Sequence, residues 1–221
     1  MRETWDALAT GDTATYVGDP ARGREELDAL FGRLDADPRG GFAVEVGCGP
    51  GRMTAALAER FERVLGLDVS PAMVSRAREA VPLASVEFRA IAGERLEGVA
   101  DRSVDALVCY LVLQHLPSVG HVLGYLHEFG RVLAPDGEAF VQLPVLDNGL
   151  VPRAWRAARA AALPLVRRSA DRSAAFRGTR VTDGELSRGL DDAGLRVLAR
   201  DTGPDAPYRF ATDVFLRLCR V

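Results

Sequence analysis

Apolar positions recur with two different periods along this chain, and the two periods take turns. Short apolar runs bounded by glycine, proline or charge predict strands over 42–46, 64–67, 86–90, 104–110 and 138–143. Between them, apolar residues spaced three or four apart predict helices over 52–63, 71–80 and 119–133. Strands that alternate with helices argue for a parallel sheet covered on both faces, an α/β fold.

The flanks break this rhythm. Residues 5–17 are mixed and weakly patterned, and Asp19-Pro20 then reads as N-cap and first-turn proline of a helix carrying Leu27, Leu30, Phe31 and Leu34. Asp37-Pro38 and Gly40-Gly41 close that helix. Residues 148–180 form an Arg/Ala-rich insertion around Trp155, with Pro164 expected to cut any helix in it. A helix over 182–193 should stop at Gly194, and strands over 195–201 and 211–220 should pair as an antiparallel hairpin across Gly203, Pro204 and Pro207. The expected organisation is one domain: an N-terminal helical lid over 1–41, a core over 42–147, an inserted cap over 148–180, and a helix and hairpin over 181–221.

Composition narrows the function classes. The 221 residues are 48% hydrophobic with a net charge of -3, so nothing general draws the chain to nucleic acid or an anionic membrane. No apolar run approaches the roughly 20 residues that cross a bilayer, and the N-terminus lacks a basic-then-apolar leader pattern, so the expected location is cytoplasmic. All 28 basic residues are arginine. Schiff-base lysine chemistry and a phosphate-loop lysine are thereby excluded. Cys48, Cys109 and Cys219 form no C-x-x-C pair, and neither a disulfide nor a structural zinc is expected.

The densest chemistry lies where the first core strand ends. Val44-Glu45-Val46 runs into Gly47-Cys48-Gly49-Pro50-Gly51-Arg52, a strand turning on glycines into a helix. Such a turn lets a ligand approach backbone N–H groups that side chains would cover. The next strand ends at Asp68, whose carboxylate is placed to accept ribose hydroxyls. A dinucleotide fingerprint needs a third glycine where this chain has Arg52, which disfavours a nicotinamide oxidoreductase, as does the C-terminal hairpin.

The run Glu45-Val46-Gly47-Cys48-Gly49-Pro50-Gly51-Arg52 resembles the first motif of class I S-adenosylmethionine-dependent methyltransferases, in particular their small-molecule branch. Ser103 to Cys109, Leu113-Gln114-His115-Leu116 and Arg131 to Glu138 resemble the family's fourth strand, the segment beside the transferred methyl group, and the link into strand five. The resemblance implies a Rossmann-like seven-stranded sheet, six strands parallel and one antiparallel. It also implies S-adenosylmethionine as cofactor and S-adenosylhomocysteine as product. Glu45 would orient the methionine moiety and Asp68 would hold the ribose. Gly47, Cys48, Gly49, Gly51, Arg52, Val69, Met73, Tyr110 and Leu111 would complete the cofactor site. Where the family usually places an adenine-binding aspartate after strand three, this chain has Ala92, followed by Gly93 and Glu94.

Methyl transfer from a sulfonium needs alignment first, and a base only when the nucleophile carries a proton. His115, just past strand four, is the candidate base. His121 and His127 stand six apart, not the four that align two ligands on one helix face, so no metal is expected. Trp5, Tyr16 and Trp155 are the candidate lid residues over a small-molecule acceptor. Arg153, Arg156, Arg159, Arg167, Arg168, Arg172, Arg177 and Arg180 against the single Asp171 suggest an anionic one. Oxygen is the first expectation for the acceptor atom, with nitrogen or carbon as alternatives. A non-catalytic, methyltransferase-like partner protein is the competing reading, motivated by Ala92.

Overall fold

The computed structural model describes residues 2–9, 22–93, 95–166, 178–203 and 210–221. Tyr16, Glu94, the Asp19-Pro20 cap, Arg167, Arg168, Asp171, Arg172, Arg177, Pro204 and Pro207 lie outside the described residues. Helices α1 (Arg2–Ala9) and α2 (Gly23–Arg33) precede β1 (Phe42–Val46). Then come α3 (Arg52–Leu57), β2 (Arg63–Asp68), α4 (Pro71–Ala80), β3 (Val86–Ala90) and β4 (Val104–Cys109). The chain continues through α5 (Val119–Val132), β5 (Leu133–Leu146), α6 (Leu150–Val166), α7 (Asp183–Asp192), β6 (Leu195–Thr202) and β7 (Ala211–Arg220).

The strands form one sheet in the order β3-β2-β1-β4-β5-β7-β6. Pairing is parallel from β3 through β5, while β7 lies antiparallel to both β5 and β6. The expected count, six strands one way and one reversed, is therefore what forms, with β7 as the reversed strand.

Alternate residues of each central strand feed two cores. On one face Ala43, Val64, Ala106, Val108 and Phe140 pack under Leu27, Leu30 and Phe31 of α2 and Met53 and Leu57 of α3. The Phe31 and Phe140 rings meet edge to face at 4.7 Å. On the other face Val44, Leu107 and Val141 meet Leu126 and Phe129 of α5 and Leu186 and Leu190 of α7. Each fully buried Leu or Phe stabilises the fold by about 1.5–3 kcal/mol.

Four expectations need correction. The helix expected over 52–63 ends at Leu57, because the chain tightens into turns: the N–H of Arg60 bonds the carbonyl of Leu57 at 2.9 Å, and Phe61 is tucked into the core. Strand β5 runs well beyond 138–143. Pro135 sits in an irregular stretch where Gly137 passes so close to the Val104 carbonyl that a Cβ would stand 2.3 Å from it, and Pro144 needs no N–H while pairing with Asp213 of β7. Helix α6 continues past Pro164 to Val166, since a proline in the last turn disturbs little beyond it. The weakly patterned N-terminus contains α1, a helix supported by what it docks on.

Candidate functional site

The carboxyl ends of β1, β2, β3 and β4 surround a cavity of about 260 Å³. Of the expected residues, Trp5, Glu45, Gly47, Cys48, Gly49, Arg52, Asp68, Val69, Met73, Tyr110, Leu111 and His115 line it. Gly51 lies behind the wall, where its left-handed backbone (φ 87°) caps α3. Gly47 (φ 75°) takes a conformation that side chains resist, and a Cβ there would stand 2.3 Å from Val112.

The amides of this turn are not free for a ligand. The N–H groups of Gly47 and Cys48 both bond the Leu67 carbonyl, at 2.7 and 3.0 Å. Gly49 donates to Asp68 Oδ2 at 2.9 Å and Gly51 to the Cys48 carbonyl at 3.0 Å, while Pro50 has no N–H. The turn thus offers close approach, while the amides of Gly47, Cys48, Gly49 and Gly51 have partners within the protein.

The charged side chains lining the cavity are mostly acidic. Glu45 of β1 is 5% exposed and accepts a hydrogen bond from the Thr54 hydroxyl of α3. Burial pushes its pKa up to about 8, against the Thr54 bond and with help from the nearby Asp68 charge. Asp68 is fixed by the N–H groups of Gly49 and of Ser70, the latter at 2.8 Å on Oδ1. Burial raises its carboxyl above the usual range although these bonds oppose it. Arg52 forms an ion pair with Glu26 of α2, a lining residue that the sequence pattern did not single out. Cys48 is buried and its thiol is held well above its ordinary pKa by that burial, which leaves it unreactive.

Helix α1 crosses the rim. Arg2 donates to the carbonyls of Val69 at 3.0 Å and Ile91 at 3.1 Å, and Asp6 accepts from the Ser70 hydroxyl at the start of α4. Leu8 and Ala9 pack on Met73. Trp5 thereby reaches across to His115, edge to face at 5.2 Å.

Other expected residues stand elsewhere. Ala92 is exposed and Gly93 (φ 96°) packs near Val69, while the wall at the end of β3 is built by Ile91. Trp155 is not in the cavity lining; its ring lies 4.6 Å beneath the Arg180 guanidinium and 5.9 Å from Phe210. Its expected lid position is corrected, because residues 178–181 are stitched to the cavity's rear: Thr179 N–H bonds the Gln114 carbonyl at 2.9 Å and Val181 bridges to Val145. Arg156 is engaged by Glu185 at 2.6 Å. Tyr125 and Ile91 line the cavity without having been foreseen, and Gln114 lines it within the segment Leu113 to Leu116 that resembles the one beside the transferred methyl group. Of the first two, Ile91 alone had a usable signal, as the residue directly after a strand. Among the described residues no three His, Cys, Asp or Glu side chains gather as a metal site, and no helix is long and apolar enough to cross a membrane.

Comparison with known proteins agrees with this geometry. Residues 44–141 match the family model described as a methyltransferase domain. A trans-aconitate 2-methyltransferase of Methylobacterium radiotolerans is 38% identical over 109 residues, which make up 48% of this chain and 38% of that protein. A ubiquinone biosynthesis O-methyltransferase of Pseudomonas paraeruginosa is 30% identical over 111 residues, 48% of this chain and 47% of that one. The matched stretch is thus less than half of either relative. The fold is shared with the N-methyltransferase NodS of Bradyrhizobium japonicum, solved with S-adenosylhomocysteine, at a TM-score of 0.68 and 16% identity over 99% of this chain and 97% of that chain. Residues 44–141 are thus similar to a methyltransferase domain, and the fold is one that a solved S-adenosylhomocysteine-bound methyltransferase shares.

Proposed function

We propose that this chain methylates an oxygen of a small-molecule acceptor, using S-adenosylmethionine as donor. The observation that carries the donor is the acidic cavity with its amides already spent. A pyrophosphate needs free N–H donors, whereas a sulfonium with an ammonium group is favoured by Glu45 and Asp68. These residues fit the cofactor: Asp68, held by two backbone amides, keeps acceptor capacity for ribose hydroxyls, and Glu45 faces the same cavity. When bound, the cofactor supplies an electrophilic methyl group.

The chain's own residues do the rest. Trp5 and α1 shut water from the cavity, and His115 accepts the proton that a hydroxyl acceptor must lose. Oxygen is favoured because a lining imidazole can take the proton that a hydroxyl loses, and one of the relatives is named an O-methyltransferase. Among the described residues Arg52 is the one arginine lining the cavity, and it already faces Glu26.

Calorimetry tests the donor. S-adenosylmethionine and S-adenosylhomocysteine should bind and NAD should not; binding of NAD alone overturns the proposal. Replacing Asp68→Ala should weaken the donor roughly 10- to 100-fold, the worth of hydrogen bonds to a charged group. An unchanged affinity would place the ribose elsewhere.

A further inference from the structure

Two glutamine side chains are buried at the carboxyl edge of the sheet, and they differ in one respect. Gln142 of β5 is fully used: its Oε1 accepts from the Leu111 N–H at 3.1 Å and its Nε2 donates to Asp213 Oδ1 at 2.6 Å. Gln114, 6% exposed in the single 3₁₀ turn Leu113–His115, is half used. Its Nε2 stands 3.3 Å from His115 Nε2, but its Oε1 is buried without a partner.

Folding does not account for that atom. The turn is held by backbone bonds, His115 N–H to the Val112 carbonyl at 2.9 Å and Thr179 N–H to the Gln114 carbonyl at 2.9 Å, and none needs the carboxamide. Buried polar atoms are nearly always paired, so an unpaired carbonyl in a cavity wall marks a place where a ligand brings the partner. Gln114 lines the same cavity as His115, Trp5 and Asp68.

We infer that Gln114 is an acceptor-binding residue that takes a hydrogen bond from a second O–H or N–H group on the substrate, next to the oxygen that is methylated. The inference rests on the proposed oxygen methylation and names the substrate class: a compound with two neighbouring hydrogen-bond donors, one facing His115 and one facing Gln114. A carboxylate has no proton to offer that carbonyl.

The probes are catechol, phenol and benzoate, titrated into protein saturated with S-adenosylhomocysteine. Catechol should bind at least about tenfold more tightly than phenol, and benzoate least well, because a site built for a donor discriminates against a ligand lacking it. Gln114→Leu should bring catechol to the level of phenol while S-adenosylhomocysteine affinity stays within about twofold, which also reports that the variant is folded. Gln114→Glu, which keeps an acceptor oxygen, should retain the preference for catechol. Equal binding of catechol and phenol, tightest binding of benzoate, a preference that survives in Gln114→Leu, or no binding by either phenolic probe overturns the inference. Failure of S-adenosylhomocysteine to bind the unmodified protein would instead count against the donor assignment.

Discussion

Glu45 shows what burial does to one carboxyl in the wall of the cavity. Its pKa of about 8 in the folded chain lies far above the ordinary 4.5, and burial is the main cause. A raised carboxyl binds its proton more tightly folded than unfolded. Its contribution to stability is therefore complete below about pH 4.5 and is lost as pH climbs through about 8, on the order of 5 kcal/mol in all. Urea denaturation should show the protein losing stability between pH 6 and 8.5, and Glu45→Gln should flatten that loss; parallel pH profiles would mean that Glu45 does not titrate there. A cationic cofactor stabilises the carboxylate, so its binding near pH 7 should release a proton in the original chain and not in the variant. Calorimetry in two buffers of different ionisation enthalpy reads this directly. Glu45 and Asp68 were legible because each closes a strand beside the glycine turn, so local pattern and chemistry coincide. Tyr125 was not, since no local rule distinguishes a tyrosine that faces a cavity from one that faces water, and Gln114 was placed near the site by its segment while its role was not legible.

The same division holds for the elements. Helix α4 begins where sequence places it, with the Ser70 hydroxyl accepting from Met73 N–H at 3.1 Å, and α7 opens with a reciprocal capping box between Thr182 and Glu185. Those signals are local and need no tertiary partner. Helix α1 has eight residues, too few to stand alone in water, and it exists because Arg2, Asp6 and Leu8 dock on the ends of β2 and β3 and on α4. Its partners lie more than sixty residues away, which is why the N-terminus looked patternless. Removing one anchor should loosen the strap. Asp6→Ala should speed cofactor release roughly threefold to tenfold, the effect of a hydrogen bond worth about 1 kcal/mol, with less change in the association rate. Stopped-flow tryptophan fluorescence in a Trp155→Phe background, which leaves Trp5 as reporter, measures both rates. Unaltered release would mean that α1 is not part of the gate.

Across the whole molecule, the reversed strand has a function at the site. The alternation of periods and the turn-rich C-terminus made parallel strands plus a hairpin readable, but the placing of β7 between β5 and β6 depends on contacts that no local pattern reports. That placing puts Asp213 beside Gln142, which in turn holds the N–H of Leu111. Leu111 needs holding: it lines the cavity with a left-handed backbone (φ 58°) that costs a non-glycine residue of order 1 kcal/mol. Asp213→Ala leaves the buried Gln142 amide without its acceptor, a loss of about 1–3 kcal/mol, whereas Asp213→Asn keeps an acceptor oxygen and should stay close to the original stability. The position that reports the coupling is remote in sequence. Hydrogen exchange across 110–116 should accelerate in Asp213→Ala, and cofactor affinity should fall severalfold, while exchange in α2 on the opposite core stays the same. Faster exchange everywhere would mean that Asp213 supports the fold as a whole; faster exchange confined to that segment would mean that the hairpin reaches the cofactor wall through two side chains.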